Sequence, residues 1–188
     1  SAPEFVLDSV DVTATVGDPW KLAYSQEWVQ TFAPIMPPRS HAMYCFVEGQ
    51  LFCAGGKTII DGVTTYFKDV WRTGNGYTWI KVSDDFTNGT GDGIASGAMF
   101  FLSASTKIVI CGGEKTGAVE TDTIYTSVDL GATWALSATV LADPLWGMAY
   151  TQSATVLVMM GGVDSGGAYY DQVLSSVDGE TWNLVGAH

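Results

Sequence analysis

The chain has 188 residues, enough for one ordinary domain, with 8 Lys plus Arg against 20 Asp plus Glu, a net charge of −12. A surface this acidic repels phosphate backbones and anionic headgroups, which argues against nucleic acid or a membrane surface as partner. No apolar run reaches the roughly 18 residues a spanning helix needs, so no membrane insertion is expected.

With 22 glycines, 12% aromatics and 15% charged residues, the composition predicts short strands joined by tight turns, with helix minor. In chain order, Ser1-Ala2-Pro3-Glu4-Phe5 lacks the basic start and apolar stretch of a secretory signal, and no initiator Met is present. A processed product or an excised domain is the expectation. Beyond it the chain repeats itself. Apolar runs end in Gly-Gly at Gly55-Gly56, Gly112-Gly113 and Gly161-Gly162, and about twenty residues after each comes a turn closing in Thr-Trp. Trp79 precedes Trp134 by 55 residues, Trp134 precedes Trp182 by 48, and Trp28 lies 51 before Trp79. Residues 1–36 therefore read as a degenerate or partial first unit, followed by units at 37–90, 91–140 and 141–188 of a single domain.

Each unit predicts four strands. The first is short and small-residued (His41-Ala42-Met43-Tyr44, Gly97-Ala98-Met99-Phe100, Gly147-Met148-Ala149-Tyr150), as suits strands crowded near an axis. The second is the continuous apolar run before Gly-Gly, buried on both faces. The third carries Val70, Ile124 or Val173, and the fourth begins at the Trp. Four antiparallel strands repeated at this period predict an all-β β-propeller, each blade covering its neighbour's apolar face. Three clear blades could be a piece of a larger ring, a subunit completing a ring with another copy, or, with the first unit, a compact four-bladed module. Unpaired edges favour the first two.

Three cysteines cannot all pair internally. A three-residue turn at Glu48-Gly49-Gln50 would set Cys45 opposite Cys53, whereas a two-residue turn would not; free buried thiols, Cys111 included, are the expectation.

Gly-Gly after the second strand, with an aromatic some twenty residues on, resembles the kelch repeat. Ser127-Val128-Asp129-Leu130-Gly131-Ala132-Thr133-Trp134 is similar to the Asp-box hairpin of sialidases and related secreted propellers. The copy at Ser176 is one residue shorter, and the copy at Thr73 has Asn75 in place of Asp. These residues (Asn75, Gly76 and Trp79; Asp129, Gly131 and Trp134; Asp178, Gly179 and Trp182) are expected to be structural, the side-chain oxygens holding turn amides and the indoles plugging gaps between blades. The resemblance implies that ligands bind on the opposite face, made by the loops joining strands two to three (57–67, 114–122, 163–171) and four to one (33–40, 83–93, 138–146).

Those loops carry the candidate ligand-binding residues Arg39, Asp61, Tyr66, Glu114, Glu120, Trp146, Asp164, Tyr169 and Tyr170. Aromatics mixed with carboxylates suit sugar stacking and hydroxyl recognition, or a basic protein partner. The run 84–93 offers Asp84, Asp85, Asn88 and Asp92 as a loose calcium loop, although Phe86 and Ala95 stand where a calcium hand needs oxygen ligands. No other metal or cofactor is expected. Asn88-Gly89-Thr90 is a glycosylation sequon, usable in a secreted eukaryotic protein.

Catalysis is not expected of this chain alone. A sialidase, as the resemblance implies, needs three arginines, and the chain has Arg39 and Arg72 only. A copper oxidase centre needs two histidines beside tyrosines, but the histidines are His41 and His188, and adjacent Tyr44 and Cys45 point to opposite faces of a strand. No nucleophile elbow surrounds any Ser. The expected function is a non-catalytic interaction or structural module, recognising a glycan or protein, outside the cytosol, extracellular or within a surface or virion assembly. The alternative is part of a propeller glycoside hydrolase or kelch oxidase whose catalytic residues lie elsewhere.

Overall fold

A computed structural model describes residues 36–186, which fall in the compact unit Ala33–His188. The expected first unit lies outside the described residues, apart from Met36, as does His188. The described chain is all-β, with a single 3-10 turn, Ser103–Ser105, and no α-helix.

Three four-stranded antiparallel sheets follow one another along the chain. Sheet 1 contains β1 (Met43–Val47), β2 (Gln50–Ala54), β5 (Val70–Thr73) and β6 (Ile80–Ser83) in that spatial order. Sheet 2 contains β7 (Ala98–Leu102), β8 (Lys107–Cys111), β11 (Thr123–Ser127) and β12 (Ala135–Val140), and sheet 3 contains β13 (Ala149–Gln152), β14 (Leu157–Met160), β15 (Val173–Ser176) and β16 (Asn183–Gly186). Each is a meander, and each carries a register shift where its third strand meets its fourth.

Sheet 2 is the middle layer. Met99, Phe101, Ile108, Ile110 and Tyr125 pack on Met43, Cys45, Val47, Phe52, Ala54 and Val70 of sheet 1. Its other face, with Ala98, Phe100, Leu102, Val109, Cys111 and Ile124, packs on Leu157, Met159 and Leu174 of sheet 3. Burial on both faces is why β7 and β8 read as continuous apolar runs rather than alternating ones. Every interface thus joins the leading face of one sheet to the trailing face of the next.

The boundaries differ from expectation in three ways. First strands begin one or two residues late, because His41 (φ 56°), Ser96 (φ 59°) and Gly147 (φ 69°) adopt the left-handed conformation just before them. Fourth strands begin one residue after each Trp, whose indole belongs to the preceding turn. The segments expected as loops at 57–67 and 114–122 are β-hairpins, β3 (Lys57–Ile60) with β4 (Val63–Tyr66) and β9 (Glu114–Lys115) with β10 (Val119–Glu120).

The β1–β2 turn is the two-residue kind, Glu48 and Gly49 both at positive φ, with Val47 opposite Gln50. Tyr44, not Cys45, faces Cys53 across the ladder. Cys45, Cys53 and Cys111 are all free and buried. Burial pushes the Cys45 thiol up to about 12 and raises those of Cys53 and Cys111 as well, so none is a ready nucleophile.

Candidate functional site

The connections from strand four to strand one run beside the segments that leave strand two. Ser40 bridges Lys57, Ala95 bridges Glu114 and Trp146 bridges Val163, so both sets of loops form one surface. That surface is stitched from sheet to sheet by backbone groups. Ser96 N–H donates to His41 O (2.8 Å) and Gly147 N–H to Ser96 O (2.9 Å). Alongside, Gly56 N–H donates to Ile94 O (2.8 Å) and Gly113 N–H to Leu145 O (2.8 Å). Glycine is required here by space as well as by φ: a Cβ on Gly55 would lie 2.2 Å from Ile94 O.

At the centre of this surface Glu114 is 2% exposed. Its carboxylate accepts from Lys57 Nζ in a salt bridge, from Ser96 Oγ (3.3 Å) and from Tyr66 OH (3.4 Å). The Lys57 ammonium sits 5.8 Å from the Tyr66 ring centroid. Burial, then the Glu114 charge, raises the Tyr66 phenol. Two expected residues, Tyr66 of β4 and Glu114 of β9, are therefore brought together from neighbouring hairpins, with Lys57 of β3 as the unforeseen third member.

The others are dispersed. Arg39 is turned inward, its side chain 3% exposed, and forks onto Asp69 (Nη1–Oδ1 2.5 Å, Nη2–Oδ2 3.1 Å) while Nη1 also donates to Gly55 O (2.9 Å). Its guanidinium stacks on Phe67, 4.1 Å from the centroid, so Arg39 is a strut between backbone segments and not a free ligand-binding cation. Burial opposes ionisation of Asp69, but Arg39 and the Trp71 indole outweigh it and hold that carboxyl below its usual range. Asp61 occupies the two-residue turn of β3–β4 (φ 51°), where its conformation sets the hairpin.

Glu120 ends β10 and accepts from Ser165 Oγ (2.9 Å). Asp164 accepts from Ala168 N–H (2.9 Å) and Tyr170 OH (3.1 Å), which fixes the 163–171 loop. Trp146 is half-buried, and Tyr169 is 89% exposed. Aliphatic side chains that were not singled out in the sequence are also exposed: Ile59 (66%), Ile60 (65%) and Val63 (65%) at the tip of β3–β4. Thr58-Ile59-Ile60-Asp61-Gly62-Val63-Thr64, β-branched residues about an Asp-Gly pair, was the signal that could have found that hairpin.

In the run 84–93, Asp85 accepts from Thr87 N–H (2.8 Å), Thr87 Oγ1 (2.6 Å) and Gly89 N–H (3.2 Å), and pairs with Lys68 Nζ (2.8 Å). Asp84 pairs with Lys81 (2.9 Å), and Asn88 is in the left-handed region (φ 51°). Among the described residues no three His, Cys, Asp or Glu side chains form a metal-holding group. Phe86 is fully buried, edge-on to Tyr125 (5.7 Å) and Trp134 (6.0 Å), and so anchors the loop between sheets 1 and 2.

The turns of the opposite face follow one plan. Asp129 Oδ1 accepts from Ser127 Oγ (2.8 Å) and Thr133 N–H (2.9 Å), Gly131 N–H donates to Ser127 Oγ (2.8 Å), and the Trp134 indole donates to Gly131 O (2.9 Å). Asp178 likewise accepts from Ser176 Oγ and the amides of Glu180 and Thr181, with the Trp182 indole donating to Gly179 O (3.3 Å). Asn75 accepts from the amides of Tyr77 and Thr78 (both 2.9 Å), and Gly76 N–H donates to Thr73 Oγ1 (2.9 Å). Trp134 is buried between sheets 1 and 2, Trp182 packs between sheets 2 and 3, and Trp79 is half-buried.

The inner strands β1, β7 and β13 surround a cavity of about 280 Å³ lined by Tyr44, Phe46, Met99, Phe100, Tyr150 and Gln152, among others. Gln152 caps the edge of β7: its side-chain amide accepts from Phe101 N–H (2.9 Å) and donates to Phe101 O (3.0 Å).

Four-stranded antiparallel sheets that succeed one another, each packed face to face on the next, define an all-β, propeller-like fold. Among solved structures the chain is similar to "Structure of YjhT", with a TM-score of 0.69 at 17% identity over 86% of this chain. The match spans 56% of that chain, so this chain corresponds to little more than half of it. Comparison with protein families and with curated proteins finds no match.

Proposed function

We propose that the chain is a non-catalytic β-propeller module, of kelch and Asp-box type, that binds a protein partner through the surface built by its two-to-three and four-to-one loops, within a larger extracellular, surface or virion assembly. The observation that carries this reading is a division of labour on that surface. Its central carboxylate, Glu114, is buried and held by Lys57, Tyr66 and Ser96, and its arginine, Arg39, is held by Asp69. Ile59, Ile60, Val63 and Tyr169, by contrast, are exposed. Apolar and aromatic groups offered to solvent beside fixed polar ones suit a protein interface better than a proton-transfer site, which needs an accessible acid and base.

The 56% span of the YjhT structure supports a second reading, in which further repeats supply catalytic residues. A phage-displayed peptide library, a glycan array and a fluorogenic sialoside distinguish the readings. Peptide ligands that lose about tenfold or more in affinity on Ile60→Asp and Tyr169→Ser are expected, with no sialoside turnover. Turnover by this chain would overturn the non-catalytic reading. Binding indifferent to both substitutions would overturn the loop surface, and glycan binding that needs Tyr169 would replace protein by sugar as the ligand.

A further inference from the structure

We propose that Tyr44 and Tyr150 form a site of oxidative cross-linking, at which a peroxidase-class oxidant with hydrogen peroxide joins the two rings as dityrosine within one chain. Among the described residues two tyrosine rings meet once, in this pair, with centroids 5.9 Å apart and an interplanar angle of 52°. The contact is fixed from one side and adjustable from the other. The Tyr150 hydroxyl binds the backbone N–H and C=O of Tyr44, each at 3.1 Å, so its ring cannot swing away without losing both bonds. Tyr44 is 57% exposed, which leaves its ring free to turn toward Tyr150 and makes it the phenol an oxidant meets first. Both rings line the same cavity between the inner strands.

In the reaction each phenol gives up one electron and its hydroxyl proton, leaving two phenoxyl radicals. These couple at ring carbons beside the oxygens, forming one C–C bond. The hydrogens on those two carbons then pass to the oxygens and restore both phenols. In all, two hydrogen atoms leave the protein and reduce one peroxide to two waters. The Tyr150 hydroxyl is thereby kept for the Tyr44 backbone. The new bond ties sheet 1 directly to sheet 3, which share no strand ladder.

The remaining described tyrosines lack a second tyrosine ring. Tyr66 and Tyr170 donate to Glu114 and Asp164, and Tyr125 is buried edge-on to Phe86. Tyr77 and Tyr169 are 66% and 89% exposed, so coupling them needs two molecules to meet. A net charge of −12 on each chain opposes that encounter, whereas Tyr44 and Tyr150 are already in contact. Two sulfurs are rivals: Cys45 lines the cavity, and Cys53 faces Tyr44 across the ladder. Both thiols are buried and raised above their ordinary range, which keeps them protonated and slow to react.

The test treats the chain, at low micromolar concentration, with a haem peroxidase and hydrogen peroxide first shown to couple free tyrosine. The expected product has the mass of a single chain less two hydrogens, shows dityrosine fluorescence, and yields on digestion a joined pair of peptides carrying Tyr44 and Tyr150. Its urea midpoint should rise, because the bond closes a span of 106 residues. Tyr44→Phe leaves intact the backbone groups that Tyr150 holds. This substitution and Tyr150→Phe should each lower the fluorescence about tenfold or more, with circular dichroism unchanged, while Tyr169→Phe leaves it as it was. Absence of coupling in the folded chain, fluorescence confined to species of twice the chain mass, a digest that joins Tyr77, Tyr169 or a cysteine instead, or fluorescence that survives Tyr44→Phe would overturn the proposal.

Discussion

The Tyr150 hydroxyl holds both backbone groups of Tyr44: it accepts from the N–H and donates to the C=O, each at 3.1 Å, across 106 residues of sequence. The two rings lie 5.9 Å apart. One side chain of sheet 3 thereby takes the place of a neighbouring strand beside β1, an inner edge that would otherwise present an unpaired peptide. Burial pushes the Tyr150 phenol up to about 12, so it stays protonated and able to donate. Tyr150→Phe removes both bonds and should cost about 1–2 kcal/mol, read as a lowered urea midpoint together with faster amide exchange at Tyr44. Unchanged exchange at that amide would show that the hydroxyl does not hold the strand.

The Arg39–Asp69 fork is nearly dry, with side-chain exposures of 3% and 12%. Arg39→Met would leave the Asp69 carboxylate with only the Trp71 indole and would strip Gly55 O of its donor. A loss of about 3 kcal/mol is expected in chemical denaturation, and Arg39→Lys should recover only part of it because an ammonium cannot fork. Full stability in Arg39→Met would return Arg39 to the pool of free ligand-binding residues.

Gly55 and Gly49 both sit at positive φ, +62° and +81°, but only Gly55 faces a wall, the Ile94 carbonyl. Gly49→Ala should cost about 1 kcal/mol for the left-handed backbone alone. Gly55→Ala must also push sheet 2 away, and a loss of about 3 kcal/mol or more is expected in the same assay. Equal costs would mean that the Gly-Gly pair serves φ and not the approach of neighbouring sheets.

These three cases separate what the sequence could and could not tell. Gly-Gly and Thr-Trp were legible because each marks a backbone requirement that few residues meet, and they recur at one period. The strands between them followed from apolar runs. Arg39–Asp69 and Tyr150–Tyr44 were not legible, because each joins segments whose proximity exists only once the sheets are stacked. Arg39 looked like a ligand-binding cation because nothing local to it names Asp69. The β3–β4 hairpin reads as a loop in the sequence, and its exposed Ile59, Ile60 and Val63 are passed over with it, although Asp61-Gly62 between β-branched residues marks the turn.

The Asp178 carboxyl is held at about 2, below its ordinary 3.8: burial opposes its ionisation, but the amides of Thr181 and Glu180 and the hydroxyls of Thr181 and Ser176 outweigh that cost. A carboxyl depressed on folding stabilises the folded chain fully above its unfolded value and loses that contribution as pH falls through its folded one. The loss therefore falls between about pH 4 and pH 2 and, for so exposed a group, amounts to about 1 kcal/mol after solvent screening. Carbon-13 titration of Asp178 should give a midpoint near 2, and Asp178→Asn should flatten this part of the stability profile. A midpoint at the ordinary value would mean that the turn amides do not hold the carboxylate in solution.

The claim on which the rest depends is that sheets 1 and 3 converge, through their inner strands, on the cavity that β7 also lines. The most direct measurement is a nuclear Overhauser contact between the rings of Tyr44 and Tyr150, observed in a sample with only tyrosine rings protonated. A cross-peak is expected, since the ring centroids are 5.9 Å apart. Its absence from a folded, well-dispersed sample would mean that the three sheets do not share an inner cavity.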